Sequence, residues 1–405
     1  MVKNFFIKDP IHGLITFDEQ YEWAYELIKT KEFWRLNNIK QLGSSWSIFP
    51  SATHTRFTHC IGVFQVTRKL LDSLKFIKSD THDLINNKKI VCAAALLHDI
   101  GHGPFSHTFE YATNYNHEKI GQMIITNPKS EINKILIKHN INPVDVANII
   151  DHKSKKMWMQ QVISSQIDAD RLDYLPRDSH FTGTKYGNID YDNIFKKAIV
   201  FNDQLCFSKH SWNALENILI SRWSMFENVY LNKTPTTYDI LMKKTLARVH
   251  FLYQKQKKYI FKNSQLLTIL KPWLDNESWD ITTVQNLDDY SFTALMRSFA
   301  NEHDFILKTL ATNWLQNKDF VTFEYEYGKD KSKDQKIIHK KYFYETITSN
   351  KQIYDFNEPV FLYTENKNND IKLLKLEDKS LIIAALKSIK QPRIKKWIFY
   401  YKPLK

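Results

Sequence analysis

The spacing of hydrophobic residues predicts that much of the chain is helical. Apolar side chains between residues 63 and 74 recur at intervals that place them on one helix face, at Val63, Val66, Leu70, Leu71 and Leu74. The same kind of pattern predicts further helices at Tyr21–Asn38, Ile90–Leu97, His117–Ile125, Ile132–His139, Val144–Ile150, Ser164–Leu175, Trp212–Tyr230 and Tyr238–Tyr253. Because Ile90–Leu97 is apolar on every side, we expect a buried helix that ends at His98. Residues 55–250 therefore read as almost wholly helical.

Both ends of the chain have a different pattern. The opening segment IKDPIHGLITF reads as extended, with a turn at its Pro and Gly. After about residue 310, short alternating or aromatic runs predict strands at Phe320–Tyr327, Tyr342–Thr348, Val360–Tyr363, Ile371–Leu376 and Ile394–Tyr401. One helix is expected near Lys379–Ile389, and the charged run 329–336 is expected to be a loop.

These patterns predict a mainly α protein with a helical core and a smaller α/β C-terminal region. We expect three units. Residues 1–50 form an N-terminal segment packed on the core, residues 51–310 form the helical domain, and residues 311–405 form the small α/β region.

Composition excludes several classes of protein. With 43% hydrophobic residues among 405, the chain can build a sizeable core. No apolar run approaches the roughly 20 residues of a membrane helix, and the N-terminus turns polar too early for a signal peptide. We therefore expect a cytoplasmic protein without membrane contact. The three cysteines are far apart, which favours neither a disulfide framework nor a thiolate zinc site: Cys60, Cys92 and Cys206.

The net charge of +13 favours anionic partners such as nucleotides or nucleic acid. The excess is spread over both parts of the chain, which favours a solvated lysine-rich surface over a dedicated nucleic-acid module. The stretch Lys387–Lys405 interleaves basic residues with Trp397, Phe399, Tyr400 and Tyr401. Such a segment can stack on single strands, but we favour an edge strand protected by lysines.

The candidate chemistry is concentrated in the first half of the chain. The segment His98–His107 reads HDIGHGPFSH, in a chain that has only 9 glycines. His59 lies in HTRFTH, and Asp170 lies in IDADRLDY. Two imidazoles and two carboxylates suit a divalent ion such as Mn, Fe, Co, Ni or Zn. A capped or core role would be the better interpretation of one isolated histidine, but not of this combination.

The H…HD…D pattern resembles the HD-domain metal-dependent phosphohydrolases. Longer motifs are similar to the deoxynucleoside triphosphate (dNTP) triphosphohydrolases of that group: DPIHG (9–13), IKQLG (39–43), FPSATHTRFTH (49–59), HDIGHGPFSH (98–107) and DRLDYLPRD (170–178). The resemblance covers roughly residues 3–250, and the C-terminal third matches only in position. It implies a helical HD-domain core, a divalent metal (Mn, Fe, Co, Ni, Zn or Mg), a homo-oligomer (dimer or tetramer), and cleavage of a dNTP to deoxynucleoside and tripolyphosphate.

The resemblance also implies a role for each matching residue. The metal ligands would be His59, His98, Asp99 and Asp170. The leaving 5′ oxygen would be protonated by His107, supported by Glu110, His117 and Glu118, with His102 in the same pocket. Phosphate contacts would come from Arg56, Arg171, Arg222 and Lys233. The sugar would meet Gln41, Leu42, Tyr174, Asp178 and Tyr230. Leu42 and Tyr174 could equally be core residues, and Arg222 could belong to a surface ion pair.

Two features depart from the human member of the family. Glu110 stands where that enzyme has Asp, which leaves the geometry of the His107 dyad open. The residues at the human guanine-reading positions are Lys29, Trp34 and Asn37. Lys29 replaces the carboxylate that guanine N1–H and N2–H require, so activation by GTP through that site is not expected. A different nucleotide effector between subunits is left open.

Two other functions stay open at this point. One is an HD phosphohydrolase that acts on a nucleoside monophosphate or an alarmone. The residues at the sugar positions, Gln41, Tyr174, Asp178 and Tyr230, argue against it. The other is an HD-fold protein that binds nucleic acid through its basic surface, which the metal-site residues argue against.

Overall fold

The computed structural model describes residues 5–77, 81–113, 115–255, 259–316, 318–324, 339–350, 352–368, 370–387 and 394–402. Its first element is an antiparallel hairpin of β1 (Phe5–Asp9) and β2 (Gly13–Phe17). Asp9 Oδ1 closes the turn by accepting the backbone N–H groups of Ile11 and His12, both at 2.9 Å. Gly13 has φ +74°, a conformation that glycine adopts without a steric penalty. The expected extended segment with a turn is confirmed.

The next stretch, expected to be one helix from Tyr21 to Asn38, is broken in two. The two short helices are α1 (Glu22–Ile28) and α2 (Lys31–Trp34), flanked by 3₁₀ turns at Glu19–Tyr21 and Arg35–Asn38. Thr30 causes the break because its extended backbone ends the first helix and its Oγ1 accepts Phe33 N–H at 3.3 Å, which caps the second.

The helical core follows. Its helices are α3 (Arg56–Ser73), α4 (Thr81–Leu97), α5 (His107–Thr113), α6 (His117–Thr126), α7 (Glu131–Lys138), α8 (Pro143–Ile150), α9 (Met157–Ile163), α10 (Ala169–Thr182), α11 (Tyr191–Phe195), α12 (Trp212–Met225) and α13 (Lys233–Lys255). Most of these match the expected stretches. Helix α10 begins five residues later than expected, because Asp168 Oδ1 caps its first turn through Arg171 N–H. The last five residues of the expected helix Trp212–Tyr230 form a π-helical turn, Phe226–Tyr230.

The apolar run before His98 is buried, as expected. The side chains from Val91 to Leu97 are fully excluded from solvent at the centre of the core. Helix α4 packs between α3 and α8, and α3 also packs against α10. This packing brings the middle of α3, the end of α4 and the start of α10 to one place.

Within the described residues, the C-terminal part adds six further helices. They are α14 (Lys271–Leu274), α15 (Ile281–Gln285), α16 (Asp289–Phe299), α17 (Phe305–Gln316), α18 (Lys340–Phe343) and α19 (Leu381–Leu386). Helix α17 packs on α13, and α16 packs on α17, so this part continues the same core.

The remaining strands form two sheets. They are β3 (Lys75–Ile77), β4 (Ala198–Phe201), β5 (Gln204–Ser208), β6 (Phe320–Glu324), β7 (Tyr344–Asn350), β8 (Phe361–Glu365), β9 (Ile371–Lys375) and β10 (Ile394–Tyr401). One sheet has the order β3-β4-β5-β8-β9 and the other the order β6-β10-β7. The prediction that residues 55–250 are almost wholly helical is wrong at β3, β4 and β5. These strands have only 3, 4 and 5 residues. In so short an apolar run, the hydrophobic pattern does not distinguish a buried strand from a buried helix.

The position of β10 overturns the interpretation of the C-terminal segment as an edge strand, and it also bears on the base-stacking interpretation. It pairs with β6 on one side and β7 on the other, so it is a central strand and not an edge. Trp397, Phe399 and Tyr400 are buried, which removes them from any base-stacking surface. Their aromatic character therefore serves the packing of the sheet.

Some predicted segments lie wholly or partly among residues that the structure does not describe. The charged run 329–336 lies outside the described residues, as do the ends of the expected strand at 325–327 and of the expected helix at 388–389. Cys60, Cys92 and Cys206 are buried free thiols. Among the described helices, none is both long and apolar enough to cross a membrane. The prediction of a mainly α fold with a helical core is confirmed, and the division into three units stays a prediction.

Candidate active site

Three segments of the core bring the four predicted metal ligands together. His59 lies on α3, His98 and Asp99 follow α4, and Asp170 lies in the first turn of α10. His59 Nε2 is 3.0 Å from Asp170 Oδ1 and 3.6 Å from Asp99 Oδ2. His98 Nε2 is 3.5 Å from Asp99 Oδ2 and 3.6 Å from Asp170 Oδ1. One ligand atom each of His59, His98 and Asp170 lies within 4.8 Å of the other two, and Asp99 lies beside both histidines.

The chemistry of this donor set fits a divalent transition ion. The Nε2 atoms of His59 and His98 are buried and have no hydrogen-bond partner. Their Nδ1 atoms are held, by Asp173 Oδ2 at 2.7 Å for His59 and by the Ala95 carbonyl at 2.9 Å for His98. This arrangement directs each Nε2 lone pair toward the carboxylates, as in metal sites whose ligands are oriented from behind. His59, His98, Asp99 and Asp170 would hold the ion.

The carboxylates and the cationic side chains of this site shift each other's pKa values. Burial disfavours a charged His59, but the neighbouring carboxylates of Asp170 and Asp173 outweigh it and raise the pKa of His59 to about 10. Burial also opposes the ionisation of Asp99. The Arg56 guanidinium and the nearby histidines overcome it and hold the pKa of Asp99 well below its usual range. The site is thus built to keep its carboxylates ionised.

A buried network behind His59 was missed by the sequence reasoning. Asp173 Oδ1 lies 2.6 Å from His12 Nε2 and 2.8 Å from Arg177 Nη2, and Arg177 Nη1 reaches Asp9 Oδ2 at 2.8 Å. All four side chains are almost fully buried. The N-terminal hairpin therefore orients a metal-site histidine through Asp173. These residues belong to the motifs DPIHG and DRLDYLPRD. The motifs are visible in the sequence, but the sequence alone assigns no role to their residues Asp9, His12, Asp173 and Arg177.

Arg56 and His102 contact the outer side of Asp99. Arg56 Nη1 pairs with Asp99 Oδ2, and Arg56 Nε donates to Ser106 Oγ at 2.8 Å. His102 Nε2 lies 3.2 Å from Asp99 Oδ1. Burial, and then the charge of Arg56, hold the pKa of His102 well below its usual range, so this ring is neutral.

A second histidine group surrounds Glu110. Glu110 Oε2 lies 3.2 Å from His107 Nδ1 and 2.9 Å from His117 Nδ1. Despite partial burial, these two histidines hold the pKa of Glu110 below its usual range. The His107 side chain is 72% exposed and faces the cavity. Glu110 therefore contacts both rings, although its side chain is one methylene longer than the Asp at this position in the human enzyme.

Three of the residues expected at the sugar, Tyr174, Asp178 and Tyr230, lie together on the wall of one cavity. Tyr230 Oη donates to Asp178 Oδ2 at 2.7 Å, and the Tyr174 and Tyr230 rings meet edge to face with centroids 6.3 Å apart. His54, which had been given no role, lies with Nε2 2.8 Å from Asp178 Oδ1. A further unpredicted carboxylate is Asp239, which accepts hydrogen bonds from Ser44 and Thr108 and whose pKa is raised by burial.

One cavity of about 510 Å³ joins most of the predicted site residues. Those on its wall are Gln41, Leu42, Arg56, His98, Asp99, His102, His107, His117, Glu118, Asp170, Tyr174, Asp178 and Tyr230. This volume is typical of small-molecule sites. His59 and Glu110 lie behind the wall, in contact with the residues that form it.

Three of the expected phosphate contacts lie elsewhere. Arg171 and Arg222 line an adjoining cavity of about 630 Å³, which shares His152 and Ser164 with the first. Arg171 Nη1 pairs with Asp168 beneath the start of α10. Lys233 is exposed and lines neither cavity. Arg171 and Arg222 therefore do not line the cavity that contains the candidate metal ligands.

The positions compared with the human guanine reader lie outside the cavity. The Lys29 ammonium sits 4.2 Å from the centroid of the Tyr25 ring, Trp34 is mostly exposed, and Asn37 Nδ2 donates to the Trp34 carbonyl at 3.2 Å. Each of these side chains has a local structural contact or faces solvent, and activation by GTP stays untested.

Comparisons with known proteins agree with this geometry. The HD domain family matches residues 56–178, which contain all four candidate metal ligands. The uncharacterized protein MG461 of Mycoplasma genitalium is 34% identical over 358 residues, which is 83% of each chain. A phosphohydrolase of Bacteroides thetaiotaomicron superposes with a TM-score of 0.78 at 27% identity, over 99% of this chain and all of the other.

A more distant relative carries a more specific name. The deoxynucleoside triphosphate triphosphohydrolase SAMHD1 homolog of Dictyostelium discoideum is 28% identical over 316 residues, which is 71% of this chain and 59% of that protein. The matches to the Mycoplasma and Bacteroides proteins cover most of the chain, and the HD residues lie together in the structure. The chain therefore belongs to the HD-domain phosphohydrolases.

Proposed function

We propose that the protein is a metal-dependent dNTP triphosphohydrolase, which converts a dNTP and water to a deoxynucleoside and tripolyphosphate. The observation that carries the proposal is the single cavity that joins the metal-site residues, the histidines held by Glu110, and the Asp178–Tyr230 pair. A metal site alone would suit any phosphohydrolase. The additional polar and aromatic wall suits a nucleoside, and the Dictyostelium relative supports a dNTP.

The metal end of the cavity is suited to phosphate. A divalent ion bound by His59, His98, Asp99 and Asp170 would offset phosphate charge and lower the pKa of a bound water. Arg56, on the cavity wall beside Asp99, would orient the α-phosphate. Arg171 and Arg222 line the adjoining cavity, where they can meet the terminal phosphate of an extended triphosphate.

His107 is the proposed proton donor. Since Glu110 Oε2 holds its Nδ1, the Nε2 of this exposed ring is left to carry a proton into the cavity. The departing 5′ oxygen of the nucleoside needs that proton when the bond to phosphorus breaks. His117, which shares the same carboxylate, keeps Glu110 in position.

The wall around Tyr230 is the proposed basis of sugar selection. Its hydroxyl is fixed on Asp178, and Asp178 is fixed from the other side by His54, so the ring is held rigidly. Against this wall a ribose 2′-hydroxyl would clash and lose water without gaining a partner, at a cost of about 1–3 kcal/mol. This cost corresponds to about 5- to 150-fold preference for dNTPs over rNTPs.

The reaction is tested by incubating the purified protein with Mn²⁺ and each dNTP and resolving the phosphorus products by ³¹P NMR. We expect tripolyphosphate and deoxynucleoside in equal amounts. Pyrophosphate or orthophosphate as the first product would instead redirect the proposal toward another HD phosphohydrolase. Nucleoside monophosphates and alarmones should be inert under the same conditions.

Sugar selection is tested separately with two variants of Tyr230. Tyr230→Ala should lower the ratio of dNTP to rNTP kcat/KM by about tenfold, whereas Tyr230→Phe keeps the ring and loses only the bond to Asp178. The phenylalanine variant should retain most of the selectivity if shape is responsible. An unchanged ratio in Tyr230→Ala would show that the sugar does not lie against this wall.

A further inference from the structure

His102, His107 and His117 form a second convergent group of metal-type ligands. One nitrogen of each ring lies within 4.8 Å of one nitrogen of the other two. The His102 and His117 rings are stacked with centroids 4.0 Å apart, and the His107 ring stands edge-on to both at 5.0 and 5.4 Å. This group is separate from the His59, His98 and Asp170 set and faces the same cavity.

The hydrogen bonds around the group leave one nitrogen available on each ring. Glu110 Oε2 holds the Nδ1 atoms of His107 and His117. Asp99 Oδ1 lies 3.2 Å from His102 Nε2. The available atoms are therefore His107 Nε2, His117 Nε2 and His102 Nδ1. A carboxylate that binds the far nitrogen of a ligating histidine is the usual support of such sites, because it fixes the ring and makes it a better donor.

His102 provides an independent sign that a ligand belongs here. Its side chain is 2% exposed, and its Nδ1 atom is buried without any hydrogen-bond partner. A buried polar atom without a hydrogen-bond partner destabilises the folded protein. A cation coordinated by this nitrogen would remove that destabilisation, and the positive charge of Arg56 nearby is compensated by its pair with Asp99.

We propose that His102, His107 and His117 form a second cation site, for a divalent ion that favours imidazole ligands, such as Zn²⁺. Zn–N bonds of about 2.0–2.1 Å place the ligand nitrogens roughly 3.3 Å apart in a tetrahedral site. The rings must therefore shift until their available nitrogens reach this distance, and the 72% exposed side chain of His107 can move. Three protein ligands leave a fourth position for water or a phosphate oxygen.

An ion at this site would silence the proton donor of the proposed function. With Nδ1 held by Glu110 and Nε2 bound to the ion, His107 carries no proton that it can deliver. This consequence rests on the proposed function, whereas the binding site itself does not. The site is therefore an inhibitory one, open to free Zn²⁺ when no substrate fills the cavity.

The test is the zinc content of the intact protein after equilibrium dialysis at low micromolar Zn²⁺, read by atomic emission without substrate. Relative to wild type, His117→Ala and His107→Ala should each lose about one ion per chain. Asp170→Ala should also lose about one, and the double variant Asp170→Ala/His117→Ala should lose about two. His210→Ala, at an exposed histidine, is the matched control and should lose none.

The proposal is overturned if the two single histidine variants hold as much zinc as wild type, or if Asp170→Ala alone already removes all specific zinc. Folding of each variant is checked by far-ultraviolet circular dichroism. Should His117→Ala not fold, His107→Ala decides the question, because its exposed side chain contributes little to packing. Because no nucleotide is present, a negative result here is distinct from failure of the dNTP reaction.

Discussion

Replacing Gly62 by alanine should damage the metal site without touching any of its ligands. Gly62 lies on α3, three residues after His59, where α3 and α10 pack closely. A Cβ atom at this position would lie 2.6 Å from Asp173 Cγ and still closer to Asp173 Oδ1 and Arg177 Nη2. Both side chains are fully buried and bonded to each other, so neither can move aside freely.

Effects of opposite sign determine how much Gly62→Ala changes the free energy of unfolding. In a helix interior, alanine is more favourable than glycine by about 1 kcal/mol. Against this, overpacking a core costs about 1–3 kcal/mol, and separating one partner from a buried ion pair costs about 3–5 kcal/mol. We expect a net loss of about 3–7 kcal/mol in the free energy of unfolding. Since Asp173 orients His59, metal affinity should also fall by about 10- to 100-fold.

The assay combines urea unfolding with metal titration, and Gly121→Ala is the matched control. Gly121 also lies in a helix, α6, but a Cβ there would meet Ile100 Cγ2 at an ordinary 3.5 Å. This control should unfold at the same or a higher urea concentration than wild type and bind metal normally. The reasoning is refuted if Gly62→Ala is as stable as Gly121→Ala, or if it loses stability while binding metal with unchanged affinity.

Three further predictions concern other residues. Asp99→Ala should lose bound metal and phosphohydrolase activity while its circular dichroism is kept; full activity in a metal-free variant would exclude a metal mechanism. His107→Ala should lower kcat by about 10²–10⁴-fold with little change in KM, and the reverse pattern in steady-state kinetics would place the proton donor elsewhere. Burial raises the pKa of Asp289 to about 6, although it accepts the N–H groups of Lys40 and Phe105. Because the folded state then binds the proton more tightly, wild type should lose roughly 3 kcal/mol of stability between pH 4 and pH 7 that Asp289→Asn does not lose. Parallel pH dependences in urea unfolding of the two proteins would contradict this.

The identity of the candidate metal ligands could be predicted from the sequence because it depends on residue type and local spacing. A histidine–aspartate pair at the end of an apolar helix, a histidine before it and an acidic motif after it are visible without coordinates. The helices with strong periodicity, such as α7, α8 and α13, were predictable for the same reason. Their side chains repeat with the helix, so burial of one face is encoded locally.

The support of the site was not predictable, since it depends on contacts between distant segments. His12 and Asp173 are 161 positions apart, and no local pattern indicates that the hairpin turn reaches α10. The same holds for Arg35, which donates to the carbonyls of Leu287 and Ile100 and so ties the C-terminal helices to the HD motif. In the sequence, such residues are recognisable only as polar or charged. A polar or charged residue is predicted to lie on the protein surface.

The sequence by itself determined most of the core helices, that the candidate ligands are imidazole and carboxylate, and that the chain is of the HD type. Only the tertiary structure decided the partners of the short strands, the burial of the aromatic residues of β10, and the separation of Arg171 and Arg222 from the first cavity. The physical reason is that a strand of three to five residues is stabilised mainly by its neighbours. Likewise, a cationic side chain is positioned by whichever carboxylate the fold brings near it, and for Arg171 that residue is Asp168.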